Sequence, residues 1–494
     1  MTTVTEDRTT GSFLGEHATD GRVYSGGWIE APSTVEVVEP ATGDVIGRAG
    51  VGDPALVARA CAAAAAAQPA WAATPGEERA ALCKRAAEVL DEHRAELERW
   101  IIREGGSTQP KAEIEIRQSI VHLHAAAALA RHASEEELAS VVPGRHSFAR
   151  RVPLGVVAVI TPWNFPVILS MRSVAPALAL GNAVVLKADP QTPISGGVLF
   201  ARLFEEAGLP DNLLHVMAGG AEVGQALAAD ENVAMVSFTG STAAGRAVGE
   251  TAGRTLKRVL LELGGNSPFV VLADADADAA SSAGAFGSFL HSGQICMAAS
   301  RHLVHEDVVD EYVAALAERA ARLPVGNPDT EQVALGPIIN QRQVDRVQKM
   351  VDDSVAMGAT LVTGGKADGL YYPPTVLRDV TPEMPVFTEE IFGPVAPVTT
   401  FSSDDEAVEL ANRTGYGLAA AVQGERAHAD CVANRLQAGM VHVNDQPVNE
   451  EVVAPFGGFG VSGNAAHCGG ESTLEAFTTW QWVTSRDEPA PFPF

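Results

Sequence analysis

Between residues 34 and 51 apolar and polar positions alternate on either side of a Pro-Ala-Thr-Gly-Asp turn, the rhythm of a β-hairpin. Asp53-Pro54 then pairs a capping side chain with proline in a first helical turn, and 53–73 and 77–103 repeat apolar residues at helical spacing. The alanine run 62–67 is simply strong helix former. From residue 151 the rhythm changes. Val156-Val-Ala-Val-Ile160 and Ala183-Val-Val-Leu186 are apolar throughout and alternate with helical segments such as 196–207. His215-Val-Met217 and Met235-Val-Ser-Phe238 each lead into a glycine-bearing turn. Strands apolar on both faces belong in a parallel sheet covered by helices, so 151–262 predicts a doubly wound α/β unit. A second α/β stretch starts near Gly265, with the strand Phe269-Val-Val-Leu272, and runs to about Asn444. The polar piece 134–151 and the strand-patterned tail at 478–483 lack a core of their own. They predict strands that pair across a subunit interface, with loose surface loops as the alternative.

At 494 residues the chain exceeds the roughly 250–300 at which one core stops growing, so two or three domains are expected. Hydrophobic residues at 46% and charged residues at 20% suit a folded globular protein. A net charge of -27 repels phosphate backbones and anionic headgroups, which argues against nucleic-acid and membrane-surface partners. The five cysteines, at 61, 83, 296, 431 and 468, are scattered and show no metal-ligand spacing, so reduced thiols, a cytoplasmic location and no metal are expected. The first residues carry no apolar signal-peptide core, and no run reaches the ~18 apolar residues of a membrane span.

Within this frame a few residues can carry chemistry. Cys296 follows the turn Ser292-Gly-Gln-Ile and precedes the small-residue run Met297-Ala-Ala-Ser, which predicts the start of a helix. A helix N-terminus favours thiolate, the nucleophilic form; a lone cysteine is otherwise buried structural sulfur. Glu262 stands inside an apolar run ending in two glycines, where burial raises a carboxyl into the range of a general base. It reads equally as a strand-end cap. Phe238-Thr-Gly240-Ser241 through Gly245 and the earlier Gly219-Gly220 through Gly224 each end a strand and open a helix, positions where backbone N–H groups can hold a pyrophosphate. Neither matches G-x-G-x-x-G. Trp163-Asn164, set between prolines after a buried strand, presents an amide suited to an oxyanion, or a plain loop asparagine. Lys187 closes a buried strand and can reach ribose or phosphate, or snorkel to solvent.

Taken together, Thr161-Pro-Trp-Asn-Phe-Pro, Phe238-Thr-Gly-Ser-Thr, Leu261-Glu-Leu-Gly-Gly, Gly293-Gln-Ile-Cys296, Glu390-Ile-Phe-Gly-Pro394 and Pro455-Phe-Gly-Gly458 resemble the aldehyde dehydrogenase superfamily in chain order, from about Glu39 to Trp480. The resemblance implies a Rossmann-type cofactor domain (1–133 and 152–262), an α/β catalytic domain (263–444, with the substrate loop 445–475) and small β oligomerisation strands (134–151 and 476–494). It implies Cys296 as nucleophile, Glu262 as the base for hydrolytic water and Asn164 as oxyanion donor. NAD or NADP would lie along Ile160, Trp163, Lys187, Gly220, Gly224, Phe238, Gly240, Ser241, Gly245, Leu263, Glu390 and Phe392. By the same resemblance Phe165, Leu169, Arg172, Ile295, Met297 and Phe456 line the pocket for a small aldehyde, and the assembly is a homodimer or homotetramer.

Departures from the pattern matter. Pro190, next to Asp189, stands where relatives often hold the ribose 2'-hydroxyl with glutamate, so NAD and NADP both stay open. Asn266, His291 and Gly460 replace commoner lysine, asparagine and lysine. With Lys187-Ala-Asp-Pro190 and Val443-Asn-Asp-Gln446, these features are similar to the NAD(P)-dependent benzaldehyde dehydrogenases of aromatic degradation. An aliphatic aldehyde or semialdehyde is the nearest alternative substrate. A thiol hydrolase lacks a recognisable histidine partner, a CoA-acylating enzyme would not need Glu262, and a non-catalytic relative would not keep Cys296, Glu262 and Asn164 together.

Overall fold

A computed structural model of the chain describes residues 12–132 and 135–493. The reading of the first residues as lacking a signal peptide falls on 1–11, outside the described residues, as does Ser134.

Strands numbered in chain order build the first, nine-stranded sheet: β1 (Arg22–Ser25), β2 (Trp28–Glu30), β3 (Ser33–Val38), β4 (Val45–Val51), β7 (Val156–Ile160), β8 (Ala183–Ala188), β9 (Leu214–Ala218), β10 (Val233–Thr239) and β11 (Arg258–Glu262). The order is β11-β10-β7-β8-β9-β1-β2, and β7 to β11 are parallel neighbours. The chain steps from β7 through β8 to β9 on one side, then crosses to β10 and β11 on the other. That reversal opens a crevice beyond the carboxyl ends of β7 and β10, where open α/β sheets bind ligands. The hairpin expected at 34–51 is β3 and β4, paired antiparallel.

The second sheet runs in the order β14 (Thr360–Thr363), β15 (Thr375–Arg378), β16 (Val395–Phe401), β13 (Ala299–His305), β12 (Ser267–Val271), β18 (Ala419–Gln423) and β19 (Met440–Val443). β17 (Tyr416–Gly417) and β20 (Phe459–Gly460) form a two-residue ribbon beside it. β21 (Thr478–Ser485), β6 (His146–Pro153) and β5 (Glu135–Glu137) make a third sheet. The two polar segments pair with each other inside the chain, in an eight-residue antiparallel register from Thr478 against Pro153 to Ser485 against His146. Each supplies the backbone partner that the other lacks.

Helix α1 (Pro54–Ala73) starts as expected, with the Asp53 carboxylate accepting the Leu56 N–H at 2.7 Å. The stretch 77–103 splits into α2 (Gly76–Glu92) and α3 (Arg94–Gly105) at His93. α4 (Gln109–Leu129) went unread, because its buried face mixes Ile116 and Leu123 with Lys111, Glu115, Ser119 and His122 and so blurs the apolar period. α5 (Pro166–Ala179) packs on it, and the Glu115 carboxylate accepts the Val167 N–H at 2.6 Å in its first turn. The helix expected at 196–207 opens earlier, with a π-helical turn Ile194–Val198. There Glu104 accepts the Ile194 and Ser195 N–H groups, and Gly196-Gly197 resist a regular start. Among the described residues no helix is long and apolar enough to cross a membrane.

Candidate active site

The loop that carries Cys296 is bent sharply. His291 and Ser292 take positive φ of 50° and 54°, and Gly293 follows at 67°, where an added Cβ would collide with the Gly393 carbonyl. Beyond Cys296 the chain enters β13 at Ala299, so the expected helix is absent. Parallel pairing of β13 with both β12 and β16 claims those residues, and an isolated propensity for helix loses to the ladder. No helix dipole supports a thiolate. Burial, and next the Glu390 carboxylate, push the thiol up to about 12, with Arg172 opposing.

Asn164 enters from the turn between β7 and α5 and is buried. One Nδ2 proton is donated to the Gln294 carbonyl at 2.9 Å, which ties the amide to the cysteine loop and leaves the second proton free to point elsewhere. Gln294 is fixed in turn, its Oε1 accepting the Ile339 N–H at 3.0 Å. Glu262 ends β11 and bridges to Gly463. Neither of its carboxyl oxygens meets a hydrogen-bond donor among the described residues, and burial pushes the group up to about 8 against the pull of Arg172. Glu390 accepts the Gly265 N–H at 3.0 Å and is pushed by burial up to about 7.

Two clefts meet at the thiol. The first, of about 340 Å³, is lined by Trp163, Asn164, Leu169, Gly240, Ser241, Glu262, Leu263, Cys296, Glu390 and Phe392, together with Gln343 and Arg346. Trp163 and Phe392 stand edge to face, centroids 5.5 Å apart, with Phe392 at a φ of 55°. The second cleft, of about 190 Å³, brings Phe165, Leu169, Arg172, Ile295, Met297 and Phe456 together with Asn164 and Cys296. Its α4 wall consists of Lys111, Ile114 and Gln118.

Ile160, Lys187, Gly220, Gly224, Phe238 and Gly245 line neither cleft. They lie at the carboxyl ends of β7, β8 and β10 and in the turns and helices that follow β9 and β10. A Cβ on Gly224 would sit 3.9 Å from Ile160 and 4.0 Å from Lys187, so these three converge. A Cβ on Gly245 would strike Leu263. Burial lowers the Lys187 ammonium from its ordinary value, with Asp189 opposing.

Sequence motifs missed several residues. Gln343 and Arg346 lie on the helix Gln341–Ala356, donating to the Phe392 carbonyl at 2.9 Å and the Glu390 carbonyl at 2.6 Å. Lys111 and Gln118 were also missed, whereas Glu450 falls in the substrate loop 445–475 that the resemblance implies. The four are ordinary polar residues on distant segments, with no local spacing to single them out.

Residues 28–483 match the aldehyde dehydrogenase family. The chain is 53% identical to a vanillin dehydrogenase of Amycolatopsis sp., over 98% of this chain and 100% of the relative. It is 50% identical to a benzaldehyde dehydrogenase [NAD(+)] of Pseudomonas putida, over 96% and 98%. Among solved structures, lactaldehyde dehydrogenase from Escherichia coli superposes with a TM-score of 0.91 at 35% identity, over 94% of this chain and 99% of the other. Betaine aldehyde dehydrogenase from Staphylococcus aureus in complex with NAD+ gives 0.92 at 31%, over 96% of each. Fold, site geometry and full-length similarity agree, and the chain belongs to the aldehyde dehydrogenase family.

Proposed function

We propose that this enzyme oxidises an aromatic aldehyde of the benzaldehyde class to its carboxylic acid with NAD or NADP. The observation that carries the reading is Cys296 at the junction of two clefts, one reaching Glu262, Glu390 and the Gly240-Ser241 turn, the other faced by Phe165, Leu169, Ile295, Met297 and Phe456. Relatives named for vanillin and benzaldehyde, at 53% and 50% identity, support the aromatic substrate.

The first cleft suits a dinucleotide. It opens at the switch point of the parallel sheet, and Gly240 and Ser241, at the start of the helix Thr242–Arg254, line it. A Cβ on Gly264 would come within 2.5 Å of Glu390 Oε2, so glycine there keeps this carboxylate beside the cleft. In this reading Gly240 and Ser241 meet the pyrophosphate, Lys187 the adenosine ribose and Glu390 the nicotinamide ribose, with Ile160, Gly220, Gly224, Phe238, Gly245 and Leu263 shaping the crevice. When bound, the nicotinamide supplies the hydride acceptor and a positive charge.

The protein's own groups do the rest. Cys296 gives up its thiol proton, by way of Glu262 to solvent, and its sulfur attacks the aldehyde carbon, while the developing oxyanion takes hydrogen bonds from the free Asn164 Nδ2 proton and the Cys296 N–H. Once the carbon is at the oxidation level of a thioester, Glu262 removes a proton from water, which attacks the acyl carbon. The Cys296–acyl bond breaks and the acid leaves.

A semialdehyde needs a free cation for its carboxylate. In the second cleft Lys111 pairs with Glu115 and Arg172 with Glu450, so each cation already has a carboxylate beside it, and of the Arg172 guanidinium only Nη1 lacks a hydrogen-bond partner. The functional division follows the implied one: cofactor binding at 1–133 and 152–262, catalysis at 263–444 with the loop 445–475, and assembly through 134–151 and 476–494. The exposed Trp480 and Trp482 on β21 suit burial in a homodimer or homotetramer, and the composition suits the cytoplasm. The test follows reduced cofactor with benzaldehyde and either NAD or NADP. Wild type should turn over and Cys296→Ala should not; equal rates would sink the reading.

A further inference from the structure

The wall of the second cleft holds an ion cluster that the reaction above does not use. Glu450, on the substrate loop, accepts from Arg172 Nε at 3.1 Å and Nη2 at 2.6 Å, and from His122 Nε2 at 3.2 Å. The Arg172 guanidinium stacks on the Phe456 ring at 3.9 Å. Three segments, α4, α5 and the loop, thus converge on one carboxylate. Burial opposes its ionisation, yet Arg172 and His122 hold it down at about 2. The carboxylate is the most accessible member, its side chain 14% exposed against 5% for Arg172 and 8% for His122.

An ionised carboxylate offers about four acceptor positions, of which Arg172 and His122 fill three. The fourth belongs to a group pinned by its neighbours, the condition for a specific hydrogen bond. Around it Phe165, Leu169, Ile295, Met297 and Phe456 offer an aromatic ring apolar contact, while Gln118, Asn449 and the unpartnered Arg172 Nη1 are the nearby polar groups. The Gln446 amide is spent within its own loop, accepting from the Val448 N–H and donating to the Val448 carbonyl.

We propose that Glu450, fixed by Arg172 and His122, determines specificity: its carboxylate accepts a hydrogen bond from a hydroxyl on the substrate ring and repels aldehydes that carry a carboxylate. This rests on the aromatic-aldehyde reading. Steady-state kcat and KM with saturating NAD would be compared below pH 7 for 4-methyl-, 3-hydroxy-, 4-hydroxy- and 4-carboxybenzaldehyde. Wild type, Glu450→Gln, the double variant Arg172→Met/Glu450→Met and Gln118→Leu would each be assayed. The double variant removes both charges, so no buried ion is left unpaired.

With Glu450→Gln, kcat/KM for the better hydroxylated aldehyde relative to the methylated one should fall roughly tenfold to a hundredfold, mainly through KM. The double variant should fall likewise, and 4-carboxybenzaldehyde should become a better substrate in it. A common factor for all four aldehydes in both variants would overturn the proposal and leave the aromatic reading standing. A loss of discrimination in Gln118→Leu alone would assign the role to α4 instead and equally overturn it. Failure of wild type on every benzaldehyde, with turnover of aliphatic aldehydes, would remove the aromatic reading and this proposal together.

Discussion

Replacing Glu262 by glutamine keeps the shape of the side chain and removes its charge. Because burial raises the carboxyl to about 8, only about one tenth of the molecules hold it ionised at pH 7. If water activation limits turnover, the wild-type rate should climb roughly tenfold between pH 7 and pH 9 as that fraction fills. The variant should show a stopped-flow burst of about one reduced cofactor per site, then a steady rate roughly 10²- to 10⁴-fold below wild type and flat over that range. Stability carries the same signature. A carboxyl raised in the folded state gives its full contribution below the ordinary 4.5, and loses it as pH rises through about 8. Relative to wild type, the variant should therefore gain about 4 kcal/mol between pH 5 and pH 8, read from denaturation midpoints. A variant that keeps the wild-type pH–rate profile, or shows no burst, would refute Glu262 as the base. A pH-independent stability difference would refute its raised carboxyl.

Asn164→Ala removes an oxyanion donor and should lower kcat roughly 10²- to 10³-fold with little change in KM. A change confined to KM would place the amide in substrate binding instead. Far from the site, His428 lies between the carboxylates of Asp274 at 2.7 Å and Asp404 at 2.8 Å, and these two hydrogen bonds raise it above its ordinary 6.5. Its stabilisation is complete below 6.5 and is lost as pH rises through the higher folded-state value. His428→Asn should thus lower the melting temperature at pH 6 and converge with wild type at pH 9; an equal loss at both would mean that the clamp does not depend on charge.

Much of this molecule is written locally. β7 and β8 show in their apolar runs because both faces are covered, and α1 shows in Asp53-Pro54 because a cap needs only neighbouring residues. Cys296, Glu262 and Asn164 were candidates from local context and became a set only through the six motifs. Other features depend on distant partners. Glu450 acquires its meaning from Arg172 and His122, 278 and 328 residues away in the chain. The β21–β6 pairing depends on a partner more than 320 positions distant, which neither strand's pattern reveals. Lys111, buried beneath the Phe165 ring at 4.4 Å, reads in sequence as an ordinary solvated helix charge.

The error about the residues after Cys296 changes how the nucleophile must work. A helix N-terminus would have kept a standing thiolate; β13 instead leaves the sulfur among Glu390, Glu262 and Glu450, with Arg172 the opposing cation. Burial raises both the thiol and the Glu262 carboxyl, the thiol further, so passing the thiol proton to Glu262 is uphill in the unliganded site. Positive charge beside the sulfur, or screening of the carboxylates from it, would lower the thiol. A nicotinamide ring held in the cleft that Cys296 and Glu390 share would bring such charge. The resting thiol is then protonated, and so less prone to oxidation, until the hydride acceptor is in place.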